Sequence, residues 1–124
     1  MENKKYTVVF YKDRNDNAPI VEYIDNLRMR SCTNKNAKIN FNKIIAYIDL
    51  LEKKGAGICE PWAKHLDGDI WELRPLRNRI LYAHYKNNEF IILHYFIKKT
   101  QKLPRKELEQ AKRNLADYKE REKQ

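Results

Sequence analysis

Ile70-Trp71-Glu72-Leu73-Arg74, Arg79-Ile80-Leu81-Tyr82-Ala83-His84-Tyr85 and Phe90-Ile91-Ile92-Leu93-His94-Tyr95-Phe96-Ile97-Lys98 are three β-branched and aromatic runs separated by turn-forming residues. Such runs predict consecutive antiparallel strands. If Asn87-Asn88 is a two-residue turn, since Asn tolerates positive φ, then Tyr82 faces Leu93, Ile80 faces Tyr95, Leu81 faces His94 and Arg79 faces Phe96. If Pro75 to Asn78 is the loop before it, then Arg74 faces Arg79, Leu73 faces Ile80, Glu72 faces Leu81 and Trp71 faces Tyr82. Opposed and alternate residues share a sheet face. One face therefore collects Trp71, Leu73, Ile80, Tyr82, Ile91, Leu93, Tyr95 and Ile97, a core for helices to cover. The other collects Glu72, Arg74, Arg79, Leu81, His94, Phe96 and Lys98. Slipping either register by one residue would turn Arg74 or Arg79 into the core, at a high cost without pairing.

Outward from this meander, Tyr6 to Tyr11 reads as another strand. Asn17 is placed to cap a helix with Pro19 in its first turn, and Ile20, Tyr23, Ile24 and Leu27 mark one helical face. Arg28 to Asn36 is polar and reads as a loop. Phe41, Ile44, Ile45, Ile48 and Leu51 form a second stripe that Lys53-Lys54-Gly55 ends. Gly55 to Gly68 reads as irregular. A last helix begins near Pro104, with Leu108, Ala111, Leu115 and Tyr118 as its apolar stripe. The expectation is an α+β single domain over residues 1–118: an N-terminal strand, a two-helix hairpin, a three-stranded antiparallel meander and a C-terminal helix. Residues 119–124 read as a charged, fraying tail.

The chain has 124 residues, with 26 Lys+Arg against 17 Asp+Glu and a net charge of +9. That length fits one domain with one core. No apolar run approaches the roughly 18 residues of a membrane span, and no signal-peptide pattern precedes the first strand. Cys32 and Cys59 lack Cys-x-x-Cys spacing, so reduced thiols and a cytoplasmic location are expected. Three scattered histidines and two distant cysteines do not make a zinc pattern, so neither metal nor cofactor is expected. No Gly-rich phosphate loop, Gly-x-Ser-x-Gly or His-Glu-x-x-His occurs. The basic balance favours an anionic partner. Guanidinium groups beside Phe96 offer charge for phosphate and a flat surface for a base, as single-stranded nucleic acid requires. An ordinary solvated sheet face is the competing reading.

Lys64-x-Leu66-x-Gly68-x-Ile70-Trp71-Glu72-Leu73-Arg74, Arg79-Ile80-Leu81-Tyr82, Phe96-x-Lys98-Lys99-Thr100-Gln101-Lys102-x-Pro104, Ala111 and Tyr118 together resemble the HigB-type toxins of the RelE/ParE superfamily. Leu103 departs from the pattern, standing where a capping Thr is expected before Pro104. The resemblance implies a RelE-like fold and a ribosome-dependent endonuclease of messenger RNA. It also implies a helix-turn-helix antitoxin partner of the HigA type.

Metal-independent RNA cleavage by ribose 2′-OH attack needs alignment, charge stabilisation and proton transfers at two oxygens. Arg74 and Arg79 suit charge stabilisation. His94 is a titratable candidate for proton transfer. Lys98 could add charge or move a proton, and Glu72 could act as a base or orient Arg74. Lys64, His65, Arg77, Phe96, Lys99 and Lys102 are candidate RNA contacts, and basic residues of the last helix (Arg105, Lys106, Lys112, Arg113) suit ribosomal RNA. Trp71 and Tyr82 read as core, and His84 as core edge. Two alternatives stay open: a ParE-like inhibitor of DNA gyrase that cuts no RNA, and an inactive relative serving only in operon repression with its antitoxin.

Overall fold

A computed structural model describes residues 3–123. Its elements are β1 (Thr7–Phe10), α1 (Pro19–Arg30), α2 (Lys35–Lys54), β2 (Ala63–Asp67), β3 (Ile70–Leu73), β4 (Asn78–Tyr85), β5 (Glu89–Ile97) and α3 (Arg105–Glu122). The five strands form one sheet in the order β1-β5-β4-β3-β2. β1 runs parallel to β5, and the other pairs are antiparallel. The α+β expectation holds, with one strand more in the meander than expected. β2 comes from the stretch read as irregular, where Ala63, Lys64 and His65 pair with Leu73, Glu72 and Trp71. A bulge before Asp67 and polar side chains break the alternation by which such a strand is recognised.

α1 and α2 cover one sheet face. Ile20, Leu27, Ala37, Ile44, Ile48 and Leu51 pack there against Leu73, Ile80, Tyr82, Phe90 and Ile92. α3 covers the other face, where Ala111 and Leu115 meet Ile70, Leu81, Ala83, Ile91 and Leu93. Each Ile or Leu among them contributes roughly 1.5–3 kcal/mol when fully withdrawn from water. The second face is thus not open along its length. It is covered where it is apolar and left open at the end that carries Arg74, Arg79 and Lys98. Leu81, expected beside the arginines on an open surface, is fully buried beneath α3.

The expected register holds from β3 to β4, with Trp71 opposite Tyr82 and Leu73 opposite Ile80. It also holds for the lower half of the next pair, where Arg79 opposes Phe96, Ile80 Tyr95 and Leu81 His94. Beyond a bulge after Leu81, Tyr82 pairs with Ile92 rather than Leu93, and Tyr85 pairs with Glu89. The turn therefore has three residues, Lys86-Asn87-Asn88, with positive φ at Lys86 and Asn87. This shift moves Ile91 and Leu93 to the α3 face and brings Phe90 and Ile92 to the hairpin side. Ile97, expected in the core, is exposed.

The helix ends follow local chemistry. Asn34 caps α2, its side chain accepting from the Ala37 N–H at 3.0 Å. Ala18, not Asn17, is the first cap of α1, and it carries no side-chain bond; Pro19 sets the first turn. Asn17 instead closes a loop by donating its N–H to Asp13 Oδ1 at 2.9 Å. α1 runs on to Arg30, which leaves only Ser31–Asn34 to link the helices. The cap of α3 is Pro104, one residue after the expected Leu103, and it makes no side-chain cap bond because proline has no side-chain acceptor. α3 continues through Glu122, into the stretch read as a tail, because Arg121 binds Asp117 at 2.8 Å and the Lys12 carbonyl.

Gly55 ends α2 at φ +52°, and any β-carbon there would overlap the Tyr6 ring. Gly55→Ala is therefore expected to destabilise the fold by about 2–4 kcal/mol, combining backbone strain and overpacking. Urea unfolding of the two proteins measures it, and a change below about 0.5 kcal/mol would show that Tyr6 moves aside freely.

Candidate active site

β2, β3, β4 and the end of β5 bring a cluster of charged side chains to the open end of the sheet. The register places Lys64 opposite Glu72 and Glu72 opposite Leu81, all on the α3 face. α3 stops short of this end, because its entry segment, Thr100 to Pro104, crosses there as coil. The result is a small cleft of about 100 Å³ whose wall includes Lys64, Glu72, Arg74, Arg79, Phe96, Lys98 and Lys102. A wider cleft of about 340 Å³ adjoins it, lined by Arg77, Lys98, Lys99, Thr100 and Gln101. Lys98 and Gln101 border both.

Glu72 sits at the centre. Its Oε1 lies 3.5 Å from Arg74 Nε and 3.9 Å from Arg79 Nε, and its side chain is only 7% exposed. Burial raises the Glu72 carboxyl above its ordinary pKa, against the pull of Arg79, Arg74, Lys98 and Lys64. The two arginines differ. Arg74 leaves 27% of its side chain in solvent. Arg79 is buried, and its Nη1 donates to the carbonyls of Leu76 at 2.7 Å and Asn78 at 2.9 Å. Burial pushes the Arg79 guanidinium down from its ordinary pKa, with Glu72 opposing. Arg79 was expected to emerge fully on an uncovered face. It instead lies under the loop it clamps and shows one edge to the cleft, because Leu76 at φ +61° turns its carbonyl toward the guanidinium. The loop is tied down further: Arg74 N–H donates to the Trp62 carbonyl at 3.0 Å and Lys98 N–H to the Arg77 carbonyl at 2.7 Å.

Two expected residues stand apart from the cleft. His94 Nε2 lies 3.4 Å from Glu107 Oε1, and its ring lines a separate cavity with Tyr11, Tyr95 and Asn114. Its strand position on the α3 face turns it beneath that helix rather than toward the arginines. His65 lies in β2, not in a loop, and opposes Trp71 on the hairpin side; their rings are 5.0 Å apart and His65 Nε2 reaches the Gly68 carbonyl at 2.8 Å. His84 stacks on Phe90. Asn78, which no motif picked out, is buried beneath the arginine loop. It opens β4 rather than ending the Pro75–Asn78 loop as expected, and its one signal in the sequence is an amide two residues before Ile80, in phase with the core face. Among the described residues, no group of three or more His, Cys, Asp or Glu could hold a metal ion.

Charge and paired donors are what recognition of a tetrahedral oxyanion requires, and the cleft wall supplies both. Phosphate at ten times its Kd is expected to add about 1.4 kcal/mol of stability, a rise of a few degrees in Tm. Thermal melts in phosphate and in chloride of equal ionic strength test this, with Arg74→Ala as the control for general salt effects. Equal shifts in both proteins would exclude an organised anion site.

The family model described as phage derived protein Gp49-like (DUF891) matches residues 34–116, well over half of the chain. No curated protein matches the chain.

Proposed function

The chain belongs to the Gp49-like family, a toxin-like family of toxin–antitoxin systems, and from that premise we propose that it is a HigB-type, ribosome-dependent endonuclease of messenger RNA. Membership implies an antitoxin partner; in this reading the antitoxin is a helix-turn-helix protein, and the toxin works in the cytoplasm on translating ribosomes. Among the described residues, no helix is long and apolar enough to cross a membrane. The observation that carries the reading is the convergence of Arg74, Arg79, Lys64, Lys98 and Lys102 around one buried carboxylate, Glu72, in a cleft of about 100 Å³.

In the mechanism these groups support, Glu72 takes the proton of the ribose 2′-OH. The 2′-oxygen bonds to phosphorus as the bond to the 5′-oxygen breaks. Arg74 and the free edge of Arg79 hold the extra negative charge that develops on the phosphoryl oxygens. Lys98, on the same wall, hands a proton to the leaving 5′-oxygen. The products are a 2′,3′-cyclic phosphate and a 5′-hydroxyl. Lys99, Arg77 and Lys102 seat the flanking phosphates, and Phe96 supplies an apolar wall near the base. His94 has no part in this scheme, since Glu107 engages it outside the cleft.

Induced expression followed by primer extension of translated transcripts tests the proposal. New message ends that vanish with antitoxin support it. Growth arrest with intact messages and DNA-damage signalling would replace it with gyrase inhibition.

A further inference from the structure

The loop that carries the cleft, Arg74 to Arg77, is joined to the two helices that cover the opposite sheet face through one buried side chain, Asn78. Asn78 is 2% exposed. Its Oδ1 accepts from the Tyr23 hydroxyl at 2.6 Å, and its Nδ2 donates to Asn40 Oδ1 at 2.8 Å and to the Pro75 carbonyl at 3.1 Å. Its main chain works on the same loop. The Asn78 N–H donates to the Pro75 carbonyl at 3.0 Å, and the Asn78 carbonyl accepts from Arg79 Nη1 at 2.9 Å. A buried amide offers two N–H donors and one oxygen acceptor, and here both kinds are engaged. Tyr23 is itself held in place, stacked on Tyr95 with ring centroids 4.4 Å apart.

Burial alone does not call for an amide at this position. Asn78 shares strand parity with Ile80 and Tyr82, both apolar-core residues. A leucine would bury more apolar surface, and an apolar replacement of all the partners would be close to neutral for stability. A fully bonded polar group instead specifies one geometry. That geometry is unusual: Leu76 stands at φ +61°, which places its carbonyl on Arg79. The network thus runs from the two helices, through Tyr23 and Asn40, to the loop and the guanidinium.

We propose that Asn78, held by Tyr23 and Asn40, is the positioning residue of the arginine cleft, fixing the Arg74–Arg77 loop and the Arg79 guanidinium in the arrangement that reaches a phosphate. The proposal rests on the reading of the cleft as the RNA-cleaving site, and it makes no contact with substrate itself. It takes effect in turnover more than in binding, because the surrounding lysines still attract RNA when the arginines are misplaced.

The test uses the full-length chain and three variants, Asn78→Ala, Tyr23→Phe and Asn40→Ala, each assayed on a translated message for kcat and KM. In parallel, the Nε–Hε resonance of Arg79 is followed by NMR, a readout independent of activity. Displacing a catalytic group by about 1 Å costs on the order of a hundredfold, so Asn78→Ala is expected to lower kcat by about that factor with KM within about twofold. Tyr23→Phe and Asn40→Ala each delete a single bond to Asn78, Asn40→Ala also losing its bond to the Asn36 carbonyl, and both are expected to lose about tenfold. The Arg79 resonance is expected to shift or broaden in all three. Should Asn78→Ala not fold, the two single-bond variants decide the matter. Folded variants with wild-type kcat and an unmoved Arg79 resonance overturn the proposal. If the wild-type chain cuts no message, the endonuclease reading falls, while the Arg79 resonance still decides whether Asn78 positions the cleft.

Discussion

Arg74→Ala is expected to lower cleavage of translated messages by at least about a hundredfold, as loss of an oxyanion-stabilising donor does, while Tm stays within about 2 °C of the parent. The separation of the two effects follows from where Arg74 sits. Its side chain is partly in solvent and meets Glu72 at 3.5 Å, and its main-chain bond to Trp62 survives the substitution. Glu72 keeps Arg79 as a neighbour at 3.9 Å. Arg79→Ala would not separate the effects so cleanly. It would strip the donor from two carbonyls, Leu76 in the loop and Asn78 at the start of β4, and leave a cavity beside a buried carboxylate. Arg74 is thus the variant whose failure is informative: if it folds and still arrests growth at the parent's dose, phosphate stabilisation does not come from this cleft. Induction titres, primer extension and a thermal melt on the same preparation provide the three numbers.

The strand register was legible at the charged end of the sheet and not at the turn beyond β4, and the reason is local. The turn after β4 takes three residues where two were expected, which by itself would slip every pair and reverse the faces. The bulge after Leu81, with Leu93 as the extra residue on β5, undoes that slip before the open end of the sheet is reached. Arg79 opposite Phe96 and Leu73 opposite Ile80 therefore stand where turn arithmetic put them, while Ile91 and Leu93 have changed sides. A bulge leaves no mark in hydrophobic alternation when both faces are apolar, as they are for Ile91-Ile92-Leu93. The same double burial explains why Leu81 was expected in solvent: nothing in its strand says that α3 returns to cover it. Imidazole chemistry alone marks His94 as a candidate in the sequence, and only the packed position of Glu107 reveals that it is engaged outside the cleft. Asn78 reads as the last residue of the Pro75–Asn78 loop, where an amide is ordinary, but it opens β4; its importance lies in Tyr23 and Asn40, 55 and 38 residues away in the chain.

Glu72→Gln carries the second large effect and separates two roles that one carboxylate can play. If Glu72 takes the 2′-OH proton, the glutamine variant loses about 10²- to 10⁴-fold in kcat, and the shape of the pH profile changes with it. In the parent, Glu72 must be ionised to act as a base. Burial holds its pKa above the ordinary carboxylate value, so kcat falls tenfold per pH unit as pH drops through that raised value, and the glutamine variant has no such acid limb. Stability moves in the opposite sense. A carboxyl whose folded pKa exceeds its unfolded pKa favours the fold below the unfolded value and loses that contribution as pH rises through the folded one. The parent is thus expected to lose stability across that interval relative to Glu72→Gln. If Glu72 serves only to orient Arg74, glutamine keeps an acceptor oxygen for the guanidinium, the loss is nearer tenfold and the acid limb survives in both proteins. Single-turnover rates from pH 4.5 to about 8, beside melts at the same values, distinguish the two. An acid limb that persists in the glutamine variant removes Glu72 from proton transfer and returns the search for the base to the lysines of the cleft wall.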